Sequence, residues 1–341
     1  MDRRVFLSLA AAGVAEAFQK APVGIGFLGL THSHAESKLA VVRAYPELRL
    51  VGICESDPKV AAKLRQQGIR LMGREELLNS AEIQVIAVES PVRSHAADGL
   101  AVIEAGKHLH LEKAPADNMA AFQKVVSTAR SKGLVLQVGY MWRYNPGIVK
   151  ALEAAGNGWL GSVYRVRANI GNQLEASRRP EWGEFSGGVM FELGCHLIDP
   201  MVRLMGRPRK VTSTLHTDGA FTDTLRDNTV AILEWDKAIG TVQSSTLELA
   251  SSKHRAFEIE GASGRVLVEP VEQPSLTVEL TKAAGSYQAG TQKVEFPPYK
   301  RFEDDMKDLV AAVRGEGKLR TTYDEDLLVQ EALLRSSGMN S

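Results

Sequence analysis

Cysteine is nearly absent: Cys54 and Cys195 are the only two in 341 residues. They can form no disulfide framework, nor supply the thiolates of a zinc ribbon or an iron–sulfur cluster. Redox chemistry, if the chain performs any, must come from a bound cofactor. Net charge is missing as well, with 41 Lys+Arg against 41 Asp+Glu, which removes the basic footprint that phosphate-backbone binding needs. A nucleic-acid partner is not expected. No apolar run reaches the ~18 residues that span a bilayer, so an integral membrane protein is not expected either. Six of the histidines, His32, His34, His95, His108, His110 and His196, show no metal pair with a third ligand at a known spacing, and no metal is expected.

What is present starts with an unusual first twenty residues. Arg3-Arg4 and Phe6-Leu7 lead into an alanine-rich apolar stretch ending near Val14, and Ala15-Glu16-Ala17 reads as a small-x-small cleavage site. Residues 1–20 resemble a twin-arginine export signal, which implies a periplasmic mature protein, exported folded; without it the protein would be cytoplasmic.

From Pro22 onward short apolar runs alternate with helical spacing. Strand-like runs fall at 23–28, 48–54, 83–88, 109–111 and 134–138, and helical patterns at 35–44, 59–67, 96–105 and 116–131. Such alternation predicts a parallel sheet covered on both faces, an α/β doubly wound Rossmann domain over residues 21–139. Residues 140–341 would form a second, α/β domain.

The first strand-to-helix junction is where a dinucleotide would bind. Gly24-Ile25-Gly26-Phe27-Leu28-Gly29 matches G-x-G-x-x-G literally, but the match lies inside the strand, because residues 18–23 include Gln, Lys and Pro. Placing the turn at Gly29 gives Gly29-Leu30-Thr31-His32-Ser33-His34, in which only the first glycine survives. Thr31 and His34 then stand where glycines usually let backbone approach a pyrophosphate. His32 and His34 either contact cofactor or substrate, or are exposed imidazoles at a helix capped by Thr31 or Ser33. Glu55 closes the second strand, where an acid accepts hydrogen bonds from the adenosine ribose; a carboxylate there repels a 2′-phosphate, so NAD is expected over NADP.

Four further segments carry a family resemblance. They are Ser90-Pro91 with His95; Ala105 through Glu112-Lys113; Tyr140-Met141-Trp142-Arg143-Tyr144-Asn145-Pro146; and Gly187-Gly188 through Glu192-Leu193-Gly194-Cys195-His196 to Asp199. In this order they resemble the Gfo/Idh/MocA oxidoreductases. The resemblance implies a C-terminal α/β domain with an open, mostly antiparallel sheet that often serves as a dimer surface, hence a homo-oligomer. Strand-like runs at 163–168, 211–215, 230–235, 240–247, 256–259 and 265–268, and helical patterns at 302–313 and 324–334, agree with it.

Carried over by the same resemblance, Lys113 matches the lysine of the Glu-Lys-Pro motif and His196 the histidine of Asp-x-Gly-x-His, with Glu192 in place of Asp. Oxidising a sugar or polyol hydroxyl needs a proton acceptor and a cation to steady the alkoxide. His196 is the candidate base, Lys113 the stabiliser and relay, and Glu192 their orienting group. Ser90, Pro91, His95, Glu112 and Lys113 join Gly29, Thr31, His32, His34 and Glu55 as candidate cofactor contacts. In Glu112-Lys113-Ala114-Pro115 the proline comes one residue late, which allows a different backbone under the lysine.

Candidate substrate contacts are Arg143 and Tyr144 at the domain junction, Arg178 and Trp182 in a polar loop suited to a sugar, and Asp199. Arg143 reads equally as an interdomain salt bridge. The expected activity is NAD-dependent hydride transfer at a sugar or polyol hydroxyl. Two alternatives stay open: a redox-neutral lyase or hydrolase that retains its NAD, and a non-catalytic ligand binder with a decayed site.

Overall fold

A computed structural model describes residues 20–339; apart from Lys20, the expected export segment lies outside the described residues. Five short apolar segments become parallel strands: β1 (Val23–Leu28), β2 (Leu48–Cys54), β3 (Val85–Val88), β4 (His108–Leu111) and β5 (Leu136–Val138). Their order is β2-β1-β3-β4-β5. Every residue of β1 and β3 is buried, as expected of strands covered on both faces.

The connections are helices α1 (Ala35–Ala44), α2 (Pro58–Gln66), α3 (Arg74–Asn79), α4 (His95–Glu104) and α5 (Met119–Lys132). Local chemistry sets their ends. The Asp57 side chain accepts the Lys59 and Val60 N–H groups ahead of Pro58, and α5 runs from an Asn118 cap to a left-handed Gly133.

A 3₁₀ turn, Met141–Tyr144, leads into α6 (Pro146–Gly156), β6 (Val163–Gly171) and α7 (Arg179–Gly183). A π-helical turn, Met190–Gly194, then continues directly as α8 (Cys195–Met205). Strands β7 (Lys210–His216), β8 (Asn228–Glu234), β9 (Ile239–Ser245), β10 (Ala256–Gly261), β11 (Gly264–Val268), β12 (Ser275–Leu280) and β13 (Gly290–Glu295) complete an eight-stranded sheet with β6. Its order is β13-β12-β11-β10-β6-β9-β8-β7, and only the β6–β9 pair is parallel. The chain closes with α9 (Glu303–Val313) and α10 (Tyr323–Ser336).

The fold is therefore α/β, a parallel Rossmann sheet followed by a mixed, mostly antiparallel one. Its two halves are not cut cleanly along the sequence. Met306, Leu309 and Val310 of α9 pack with Val23, Ile25, Phe27 and Leu39 in the core of the first sheet, so a late segment completes the N-terminal layer. Strands β12 and β13 extend the second sheet beyond the sequence expectation. Edge strand β13, GTQKVE, buries none of its residues fully and so carries no apolar alternation to read. Among the described residues no helix is long and apolar enough to cross a membrane.

Candidate active site

Gly29 follows β1 with φ +81°, a left-handed conformation that costs a side chain roughly 1–2 kcal/mol. A Cβ there would also lie 2.6 Å from the Ser90 Cα, so the turn after β1 touches the turn after β3. Helix α1 begins at His34 with no side-chain cap, leaving its N-terminal N–H groups to other acceptors. Thr31 and Ser33 are exposed and do not cap it. Glu55 ties the turn down: its two carboxylate oxygens accept the Leu30 N–H at 2.6 Å and the Asp57 N–H at 2.7 Å.

The two histidines of the turn face inward, against the alternative of exposed imidazoles at a capped helix start. His32 is buried, and the His34 Nδ1 lies 3.0 Å from Glu112 Oε1. Beneath them is a set of charged groups of which the sequence pointed only to Glu112. The Lys38 ammonium, on α1 and fully buried, donates to Glu89 Oε1 at 2.6 Å, to Glu112 Oε2, and meets His110 Nε2 at 2.8 Å. Burial works to lower the Lys38 pKa, but Glu112 and Glu89 outweigh it and the pKa is raised. Within this set burial pushes Glu89 up to about 8 against the pull of Lys38. For Glu112 the same desolvation is overcome, by Lys38 first, and its pKa falls well below the carboxylate range. Only a lysine on the inner face of an otherwise amphipathic helix could have signalled this cluster.

Lys113, at the end of the β4 loop, reaches across to the π-helical turn. Its Nζ donates to the Glu192 carbonyl at 2.8 Å and stands 3.3 Å from Glu192 Oε2. The Lys113–Ala114 peptide that follows is cis. Four side chains converge here. The Glu192 Oε1, His196 Nδ1, Tyr140 hydroxyl and Trp142 Nε1 are all buried without a hydrogen-bond partner. The His196 ring centroid lies 5.4 Å from that of Trp142, 6.4 Å from that of Tyr140 and 5.8 Å from that of His34. A buried polar atom left unpaired costs roughly 1–3 kcal/mol, and several around one imidazole are the mark of a site that a ligand completes.

The electrostatics divide the roles. Burial, then Lys113, holds the His196 pKa well below the ordinary imidazole value, so the ring is neutral. Burial raises the Glu192 pKa despite Lys113. Lys113 keeps a raised pKa because Glu192 offsets its desolvation. Cys195 is no nucleophile: burial pushes its thiol up to about 12.

The remaining candidates have their polar groups committed to other residues. His95 is fully buried, its ring nitrogens 2.8 Å from the carbonyls of Ala114 and Ser90, so it clamps two loops together where a cofactor contact was expected. Ser90 donates to Asp98 at 2.7 Å, and Pro91 precedes the 3₁₀ turn Val92–Ser94. Arg143 spends its guanidinium on Asp199, Asp326 and Thr321, which is the salt-bridge alternative and leaves neither Arg143 nor Asp199 facing a ligand. The Tyr144 hydroxyl donates to Asp308 at 2.6 Å. Trp182 is packed with Leu174, Val189 and Leu225 rather than offered for stacking, and Arg178 pairs with Glu181.

Comparison with known proteins adds a lineage. Residues 21–140 match the family described as "Oxidoreductase family, NAD-binding Rossmann fold" and residues 148–267 the "GFO/IDH/MocA C-terminal domain". The D-glucoside 3-dehydrogenase of Escherichia coli is 28% identical over 180 residues, covering 50% of this chain and 50% of the relative. The chain spans about half the length of the first curated relatives it matches, from 39% to 59%. The crystal structure of GenD2 from gentamicin A biosynthesis in complex with NAD superposes with TM-score 0.78 at 22% identity, covering 93% of this chain and 95% of that one. A levoglucosan dehydrogenase in complex with NADH and levoglucosan gives 0.78 at 18% identity over 93% and 97%.

Proposed function

This chain belongs to the Gfo/Idh/MocA oxidoreductase family, and from that premise we propose that it transfers hydride between a sugar or related polyol hydroxyl and NAD. The observation that carries the reading is the buried set of Lys113, Glu192 and His196, with unpaired atoms at Glu192 Oε1 and His196 Nδ1. The Gly29 turn, with its left-handed glycine and a helix start lacking a side-chain cap, suits a dinucleotide held by Gly29, Thr31 and the α1 N-terminus. Glu55, at the end of β2, favours a ribose hydroxyl over a 2′-phosphate. The bound nicotinamide supplies the hydride acceptor.

The protein's own groups handle the proton. Neutral His196 offers a lone pair at Nδ1 to the substrate hydroxyl, and the Lys113 ammonium steadies the oxyanion as negative charge grows on it. Glu192 fixes the ammonium through its carbonyl and carboxylate. Acid–base contributions of this kind are worth roughly 10²–10⁴ in rate. Lys113→Met and His196→Ala should each lower kcat by about that range while NAD remains bound. Full activity in either variant removes that residue from the chemistry.

A second reading rests on the Arg3-Arg4 segment. An exported enzyme meets no pool of free NAD, which favours a retained cofactor and a redox-neutral cycle on a glycoside. Repeated turnover by the purified protein without added NAD would select it; strict dependence on added NAD would select simple dehydrogenation. The exposed Tyr164, Ile232 and Ile239 of the second sheet support pairing of two copies through that face, which light scattering of the purified protein would test.

A further inference from the structure

We propose that the turn histidines and the carboxylates beneath them form a site for one divalent first-row transition-metal ion, with His32 Nδ1, His34 Nδ1 and Glu112 Oε1 as ligands. These three atoms lie within 4.8 Å of one another. Glu112 Oε1 is 3.0 Å from His34 Nδ1 and 3.9 Å from His32 Nδ1. Donors around a tetrahedral ion at ~2.1 Å stand about 3.4 Å apart, so the set needs closing by a fraction of a side-chain rotation, with no backbone rebuilt.

A second observation points the same way. Glu89 is fully buried, and its Oε2 has no hydrogen-bond partner while lying 4.0 Å from His32 Nδ1. That buried, unpaired carboxylate oxygen sets a negative group beside His32, at the border of the three-donor set. The tautomer also fits. His32 Nδ1 accepts the His34 N–H at 3.3 Å, so it carries a lone pair rather than a proton, and an ion would take that lone pair in place of the N–H. At His34 the ion replaces the proton now shared between Nδ1 and Glu112.

Charge leaves room for a cation. Once both acids are ionised, Glu89 and Glu112 bring two carboxylates, and the Lys38 ammonium, bound to the other oxygen of each, offsets one of them. Lys113 is engaged with Glu192. Two imidazoles with one or two carboxylates is a donor set for zinc, iron or cobalt rather than for magnesium or calcium. Because His34 stands 5.8 Å from His196 between ring centroids, the ion would adjoin the groups assigned to proton transfer.

The test is metal retention, read separately from NAD content, so that the failure of one leaves the other standing. The full chain is stripped with a chelator, dialysed against Zn²⁺ and, in parallel, Co²⁺, and assayed for ions per chain and for the visible absorption of protein-bound cobalt. The expected result is about one ion per chain for the wild type and at least tenfold weaker binding for His34→Ala and for Glu112→Gln. His216→Ala, beside surface Asp218, should bind as wild type does. Should Glu112→Gln fail to fold, His32→Ala takes its place, with thermal melting as the control. No retention by the wild type overturns the proposal, as does binding lost in the His216 variant but kept in the His34 variant.

Discussion

Asp305 shows how a single residue can carry a pH signature. Both of its carboxylate oxygens are buried without a partner, and burial raises its pKa to about 8, against ~4 for an unfolded chain. The native state thus holds a proton that the unfolded state has lost, and stability falls as pH rises from about 4 to about 8. Asp305→Asn should gain on the wild type through that window by up to ~1.4 kcal/mol per pH unit, with a constant gap above it. Urea melts of both proteins at pH 5, 7 and 9 check the slope. At Glu192 the question is geometric. Its carbonyl bond to Lys113 survives Glu192→Gln, whereas the carboxylate contact at 3.3 Å loses its charge. A fall in kcat of about tenfold with little change in melting temperature is expected, since a charged hydrogen bond is worth ~1.5–3 kcal/mol and a neutral one about half that. Stopped-flow and calorimetry on the same preparation check it.

At the scale of elements, the turn after β1 is set by Gly29. Gly29→Ala would force a Cβ to 2.6 Å from the Ser90 backbone and add roughly 1–2 kcal/mol of left-handed strain. The β1–α1 and β3–α4 turns would part, so cofactor affinity should drop at least tenfold; titration of NAD into the purified variant measures it. The elements of the Rossmann half were legible because buried parallel strands read as apolar runs and α1 showed its apolar spacing. The site was legible where family motifs fixed it, at Lys113, Glu192 and His196. The buried Lys38–Glu89 pair was not, because each is a charged residue whose burial depends on a partner dozens of residues away. At Trp182 and Arg143 the sequence was ambiguous for the complementary reason: types suited to a sugar are equally suited to packing and to a buried ion pair.

The whole molecule is held together at such a pair. Arg143, just after β5, binds Asp199 of α8 and Asp326 of α10 while nearly free of solvent. Arg143→Met would leave two buried carboxylates facing one another and should cost about 3–5 kcal/mol, visible as a lower urea midpoint with NAD affinity little changed, since Arg143 does not reach the Gly29 turn. Helix α9 adds a constraint of a different kind, one of timing. The first sheet is made early, yet Met306, Leu309 and Val310 close its core. At about 5–20 residues per second, the ribosome needs roughly ten to thirty seconds after β5 before that helix emerges. Throughout that interval the nucleotide-binding half waits with an uncovered apolar flank, so a chaperone that shields it is most needed between synthesis of β5 and of α9.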